Sequence, residues 1–392
     1  MKSRPRTETM LDKPTHASAP KARYIMVGGF LGAGKTTAIA RLARHLTDQG
    51  RRVGLITNDQ GERLVDTAML ASRGYPVEEI AGGCFCCRFH SLTEAAERLA
   101  AGNRPEVFIA EPVGSCTDLV ATVSYPLRRM YGESYAIAPF SVLIDPIRAL
   151  RMFGLREGSR FTDKVRYIYT KQLEEADVVV VNKQDLLNPE ESGLLSDALA
   201  ERFPHAMLMK MSAREGEGLE AWFQVVSGQL QSTRPIMEVD YRRYGEGEAL
   251  LGWLNATVQC RSDADWEGND WVRSLGESLQ KNLQAAGIEV AHLKMTLDPD
   301  TGLGDIAVLN LVRNDASPEL SQELEAPLRK GQLIVNLRAE GAPEALEEAL
   351  RHALRGMHGR VPDVKGDLDH VEAFRPGQPK PVYREEGPAG IG

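Results

Sequence analysis

The chain has 392 residues, enough for two domains, and 42% of them are apolar, which supplies packed cores and argues against global disorder. Its 47 basic and 55 acidic residues give a net charge of −8, which argues against broad binding to nucleic acid or to an anionic membrane. No segment approaches the roughly 20 consecutive apolar residues of a membrane span.

Residues 1–22 carry basic side chains but no apolar stretch, and are expected to be a flexible tail rather than a signal peptide. The expected compartment is the cytoplasm. Thiols stay reduced there, and clustered cysteines point to metal or redox chemistry before structural disulfides.

Ordered structure is expected from Arg23. "RYIMVGG" reads as a strand, "TTAIARLARHLTDQG" as a helix closed by glycine, and "RRVGLITN" as a second strand. "PEVFIAEPVG", "FSVLID", "ADVVVVNK" and "HAMLMKMSA" read as four more. Continuous apolar strands alternating with helices predict an α/β domain over 23–232, with a mainly parallel, doubly wound sheet.

The first strand runs into "GFLGAGKTT", which matches G-x-x-x-x-G-K-[ST] with Gly29, Gly34, Lys35 and Thr36 in the fixed places. Gly32, Ala33 and Thr37 complete this P-loop. Its backbone N–H groups and the helix N-terminus suit phosphate oxygens, Lys35 suits the β- and γ-phosphates, and the Thr36 hydroxyl suits Mg²⁺. After the second strand, Asn58, Asp59 and Glu62 form a candidate nucleotide-sensing loop, with Asp59 the candidate for assisting hydrolysis.

Next comes "EEIAGGCFCCRFHSL", with Cys84, Cys86 and Cys87 behind two glycines. Thiolates favour Zn²⁺ and related ions, and three of them leave one tetrahedral position open. Glu79, His90 or Cys116 is a candidate for the fourth. Cys84 and Cys87 also form C-x-x-C, a redox spacing. Glu111 in "FIAEPVG" stands at a strand end where a carboxylate serves Mg²⁺ or the attacking water. "VVVVNKQDLL" supplies Asn182, Lys183 and Asp185. An amide and a carboxylate there suit guanine, whose N1–H and N2–H groups a carboxylate accepts. Ser212 and Ala213 follow, where a backbone N–H is placed to meet guanine O6. Cys260 reads as a core residue.

"TRPIMEVDYRRYGEG" gives a linker over 233–247. A small α+β unit over 248–358 follows, with strand, helix and strand order suggesting a ferredoxin-like arrangement, and its expected role is client or partner recognition. Its Trp253, Trp266 and Trp271 are interface candidates, with core burial the commoner use. Residues 359–392, rich in Pro, Gly and charge, are expected to be a flexible tail.

The set "GFLGAGKTT", "NDQGERLVD", "GGCFCC", "EPVG" and "QLEEADVVVVNKQD", in that order, resembles the CobW-type metallochaperone GTPases of the CobW/HypB/UreG family over residues 23 to about 230. The resemblance implies a GTPase using GTP and Mg²⁺, in which Cys84, Cys86 and Cys87 bind Zn²⁺ or Co²⁺ for delivery to a client metalloprotein. Dimerisation around nucleotide is implied by the resemblance alone. Two other readings fit the same motifs: a GTP-dependent loader or reactivator of a corrinoid or metal enzyme with structural zinc, and a non-catalytic metal-sensing GTP-binding regulator.

Overall fold

A computed structural model describes residues 20–58, 70–71, 73–231, 234–299, 305–357 and 364–387. Asp59 and Glu62 lie outside these residues. The first domain runs β1 Ala22–Gly28, α1 Lys35–Asp48, β2 Val53–Asn58, β3 Val77–Ile80, α2 Phe89–Asn103, β4 Val107–Glu111, α3 Tyr125–Tyr131, β5 Tyr135–Ile137, β6 Ser141–Ile144, α4 Pro146–Met152, α5 Asp163–Glu174, β7 Val178–Val181, α6 Pro189–Arg202, β8 Met207–Lys210 and α7 Leu219–Ser227. The sheet order is β3-β2-β4-β1-β6-β7-β8, with every pair parallel and β5 also on β1.

The strands are apolar on both faces, and alternate residues enter different cores. Tyr24, Met26, Ile56, Phe108 and Val179 join one buried cluster, whereas Ile25, Val27, Leu55, Ile109 and Val180 join the other. That alternation, with helices over both faces, is the doubly wound α/β arrangement. Helix starts are written locally. Asn188 accepts from the Glu191 N–H while the Glu191 side chain returns to Asn188, with Pro189 at the first helical position.

The expected linker contains a helix, α8 Tyr241–Glu248. Asp240 caps it by accepting from the Arg242 and Arg243 N–H groups. Tyr244 and Glu248, one turn apart on the same face, are both buried. The expectation failed because an inward face built from Tyr, Gly and Glu gives a weak apolar signal.

The second domain runs β9 Leu251–Trp266, α9 Gly268–Ala285, β10 Glu289–Asp298, β11 Ala307–Leu311, β12 Glu319–Gln322, β13 Leu328–Glu340, α10 Pro343–Met357 and β14 Lys365–Phe374. Its antiparallel sheet has the order β12-β11-β10-β13-β9-β14. Strands β10, β13, β9 and β14 with the two helices form a ferredoxin-like unit, extended at the β10 edge by β11 and β12. Residues 365–374 are thus an edge strand paired with β9, not a flexible tail. Charged residues along both faces disguise it, as is common for exposed edges.

Period-two alternation also sorts the second sheet. Leu293, Met295, Leu333, Val335, Leu337, Leu254 and Val258 meet α9 and α10 in one core, together with Cys260, Trp266 and Trp271. The alternate residues, among them Trp253, Lys294, Asn310, Asn336 and Arg338, line a cavity shared with the first domain. Arg148 fastens the two domains by donating to the Ala291 and Val312 carbonyls. Arg151 adds an ion pair with Asp315 at 2.7 Å. Among the described residues no helix is long and apolar enough to cross a membrane.

Candidate functional site

The cavity between the domains measures about 1130 Å³, above the roughly 300–1,000 Å³ common for ligand sites. One wall is the P-loop, carried by the central strand β1 into α1. Gly34 has φ +86, and a Cβ there would lie 2.5 Å from the Asn182 amide nitrogen, so both conformation and space demand glycine. Lys35 Nζ donates to the Gly29 carbonyl at 3.0 Å and lies 3.9 Å from Glu111 Oε1. Thr36 Oγ1 donates to Glu111 Oε1 at 3.1 Å. Because β4 neighbours β1, its C-terminal Glu111 is delivered beside the P-loop. A hydroxyl and a carboxylate at this separation fit a hard divalent cation.

At the other end, Asn182 Nδ2 donates to the Ala33 carbonyl, and Asn182 Oδ1 accepts from the Ala213 N–H, each at 2.9 Å. Lys183 Nζ donates to the Gly32 carbonyl at 2.8 Å and to Asp145 Oδ2 at 2.9 Å. Asp145 also caps α4. Burial alone would raise its carboxyl, but Lys183, Arg313 and Arg148 outweigh burial and hold it at about 2. Asp185 is exposed on the cavity lining, with its carboxylate open to a ligand. Gly32, Gly34, Lys35, Thr36, Thr37, Lys183 and Ala213 line the cavity too. Gly29 and Ala33 contribute carbonyls to the surrounding bonds rather than to the lining. Ser212 is buried, and its hydroxyl accepts from the Glu215 N–H at 3.1 Å, so it shapes the turn. Asp59 lies outside the described residues.

Sequence reasoning missed the opposite wall. Lys294 Nζ donates to Thr36 Oγ1 at 3.3 Å across the domain boundary. His292 lies near by. Burial, then the charges of Lys294, Lys35, Lys183 and Arg338, push its imidazole well below the ordinary value, so it is neutral at pH 7. The alternation in "AHLKMTLD" was the available signal, since it puts Lys294 and Thr296 on the face opposite Leu293 and Met295.

The cysteines form a second centre. Gly82 and Gly83, at φ +75 and +150, lead from β3 into a turn in which the Cys87 and Arg88 N–H groups donate to the Cys84 carbonyl. Phe85 is fully buried and anchors it. All three sulfurs then face inward, mutually within 4.8 Å. The separations are 2.8 Å for Cys84–Cys86, 3.3 Å for Cys84–Cys87 and 3.7 Å for Cys86–Cys87. A tetrahedral ion with bonds of about 2.3 Å separates its sulfurs by about 3.8 Å. One pair already matches, and the others need to spread by an ångström or less.

Hydrogen bonding from Cys116, Cys86 and Cys87 holds the Cys84 thiol well below its ordinary value. Hydrogen bonding to Cys84 raises Cys87 to about 11. Neither Glu79 nor His90 joins the mutually close group, and Cys116 touches it only through Cys84. Beneath the loop, burial and then the Cys84 charge push Glu248 to about 8, while Ser115 donates to it at 2.6 Å.

The chain's own C-terminal segment covers the cluster. The Lys380 N–H donates to Cys87 Sγ at 3.2 Å, and the Val382 N–H donates to the Cys86 carbonyl at 2.9 Å. Tyr383 packs edge-on against Phe89, and Arg384 pairs with the buried Asp118 at 2.8 Å.

Two connections join the centres. Asn58 lines the cavity, and its Nδ2 donates to the Ile80 carbonyl at 2.9 Å and the Gly83 carbonyl at 2.7 Å, spanning the approach to the cysteine turn. The short segment from Glu111 to Cys116 runs from the P-loop threonine to the Cys84 sulfur. Gln172 holds its Gly114 and Cys116 carbonyls at 3.0 and 2.9 Å.

Residues 23–208, a little under half of the chain, match the family described as CobW/HypB/UreG, nucleotide-binding domain. The zinc chaperone YeiR of Escherichia coli is 31% identical over 171 residues, 43% of this chain and 48% of its own. The zinc chaperone CobW of Sinorhizobium sp is 29% identical over 225 residues, 51% of this chain and 61% of its own. The chain thus spans about half to three-fifths of the length of these curated relatives. Among solved structures, the Zn(II)-bound YjiA GTPase from E. coli aligns over 86% of this chain and 98% of its own, at 16% identity and a TM-score of 0.36. The fold assignment stands on the sheet topology itself.

Proposed function

We propose that this chain, whose residues 23–208 match the CobW/HypB/UreG nucleotide-binding domain, is a GTPase that couples nucleotide state to the binding and delivery of a transition metal, Zn²⁺ or Co²⁺, to a client protein. Lys35 and the P-loop amides bind the phosphates and stabilise charge developing on them. Asn182 braces the P-loop against the base-reading turn, and Asp185 accepts from guanine. Thr36 and Glu111 would hold Mg²⁺, which neutralises charge on the β- and γ-oxygens. Cys84, Cys86 and Cys87 take the transferred ion as thiolates, releasing protons as they do so. The second domain is assigned to the client, and the compartment to the cytoplasm, where the five free cysteines stay reduced.

The observation that carries this reading is Asn58. One side chain faces the nucleotide cavity and grips both ends of the approach to the cysteine turn. A phosphate that reorders the end of β2 therefore pulls on the metal loop directly. A second reading, a loader of a metal enzyme with zinc as a fixed part, draws support from the covering segment and from the burial of Cys84 and Cys86, at 4% and 1% exposure.

Zinc-loaded protein mixed with a chromophoric chelator separates the two. Delivery predicts that GTP accelerates transfer, that GDP does not, and that Lys35→Ala abolishes the acceleration. Zinc that stays bound through many turnovers assigns it a structural place.

A further inference from the structure

We propose that the second domain is part of the nucleotide site, with Lys294 a direct contact of the terminal phosphate, so that this domain distinguishes GTP from GDP. The inference rests on the reading of the cavity as a guanine-nucleotide site.

Geometry supplies the first argument. Lys294 stands on β10 directly opposite Asn310 on β11 and Asn336 on β13. Asn336 is in turn opposite Asn255 on β9 and donates to its Oδ1 at 3.1 Å. One cross-strand row of amides thus brackets a single ammonium on the face turned to the P-loop. The next row sets His292 opposite Arg338 and Arg338 opposite Trp253, with the guanidinium 3.9 Å from the Trp253 ring centre. These rows belong to a sheet fastened to the first domain by Arg148, and the bond to Thr36 Oγ1 points the ammonium at the P-loop. Its neighbour Thr36 is the hydroxyl that borders the terminal phosphate in a P-loop.

Charge supplies the second. Among the described residues, Lys35, Lys183, Lys294, Arg338 and Arg313 all line the cavity, and the acidic side chains of its lining are Glu111, Asp185 and Glu319. Asp145, just behind the lining, is engaged by Lys183 and Arg313. A polyanion meets this excess, and one additional phosphate at the Thr36 end meets Lys294 specifically. A cation placed there discriminates because GDP has no group to reach it. The same contact closes a circuit: the phosphate that acts on Asn58 and the metal loop from one side acts on the sheet of the second domain from the other.

The test measures Kd for GTPγS and for GDP, both with Mg²⁺, on the full chain and on Lys294→Met, which keeps the aliphatic stem, with Lys294→Arg as a charge-retaining control. The expected result is a loss of about tenfold in GTPγS affinity for Lys294→Met, about 1.4 kcal/mol, with GDP affinity changed less than twofold and most of the loss restored in Lys294→Arg. Equal losses for the two nucleotides, or no loss, would overturn the proposal and leave Lys294 as a domain tether. Thermal unfolding of both variants separates a folding defect from a binding one. A wild-type chain that bound neither nucleotide would instead overturn the underlying nucleotide reading.

Discussion

The cavity between the domains and the cysteine centre meet at Asn58, the last residue of β2, and at the segment from Glu111 to Cys116 after β4, yet they are opposite environments. The cavity is wide and lined by cations. The cysteine centre is small, buried and roofed by residues 380–385. A polyanion meets cations already on the wall of the first, whereas an ion entering or leaving the second must displace a backbone N–H from Cys87 Sγ or spread the sulfurs. Exchange at the cavity is therefore set by diffusion and affinity, and exchange at the cysteines by a conformational step. A conformational step is something that a nucleotide on the far side of Asn58 can control.

The comparison breaks most sharply at Lys35. Lys35→Ala is expected to lower GTP turnover at least 100-fold, by analogy with the loss of other groups that stabilise transition-state charge, while leaving zinc affinity in the nucleotide-free state within about twofold. Kinetics and a metal titration on the same preparation check both halves.

The next effect is on stability. Glu175 accepts from Thr117 Oγ1 and the Val120 N–H under the cysteine side, and burial, aided by the Asp118 charge, raises its carboxyl from the ordinary 4.5 to about 8. The folded chain then holds a proton that the unfolded chain gives up, so stability falls as pH rises from about 4.5 to about 8. Glu175→Gln should remove a share of that fall on the order of a few kcal/mol, visible as a flatter dependence of the thermal midpoint on pH.

Ending the chain at Phe374 removes the roof. Zinc exchange should then quicken about tenfold, the change expected for losing a net 1–2 kcal/mol of hydrogen bonding, with nucleotide affinity unchanged. Equal exchange rates would mean that the roof is no barrier. The smallest effect is expected at Asn58→Ala. It should shrink the difference in zinc affinity between GTP and GDP states about fivefold, roughly 1 kcal/mol.

The sequence made one half of each centre legible, for a physical reason. Phosphate binding by backbone needs glycines, a lysine and a hydroxyl at fixed spacing, and metal binding needs thiols close along the chain, so both leave local marks. Glu111 and Asn182 were readable as strand ends. Lys294 was not, because one lysine on an amphipathic strand is ordinary until the sheet is packed against the P-loop. The roof was hidden because β14, which leads to it, alternates nothing clearly apolar and pairs with a strand about a hundred residues away. Cys116 was seen as a candidate, yet its contact with Cys84 comes from the fold of the Glu111–Cys116 segment, which spacing does not encode. Ser212 was placed in the right turn, but the bond its hydroxyl accepts from the Glu215 N–H there is one that spacing alone does not announce.

The most direct test of coupling between the two centres is an anaerobic competition titration of Zn²⁺ and Co²⁺ into the protein with Mg·GTPγS and with Mg·GDP, using a Cys84/Cys86/Cys87→Ser variant as control. One thiolate-bound ion, held at least tenfold tighter in the GTPγS state, about 1.4 kcal/mol of coupling, and lost in the variant, is the predicted result. Equal affinity in both nucleotide states would contradict it and leave the cysteines as a structural site beside an independent nucleotide-binding domain.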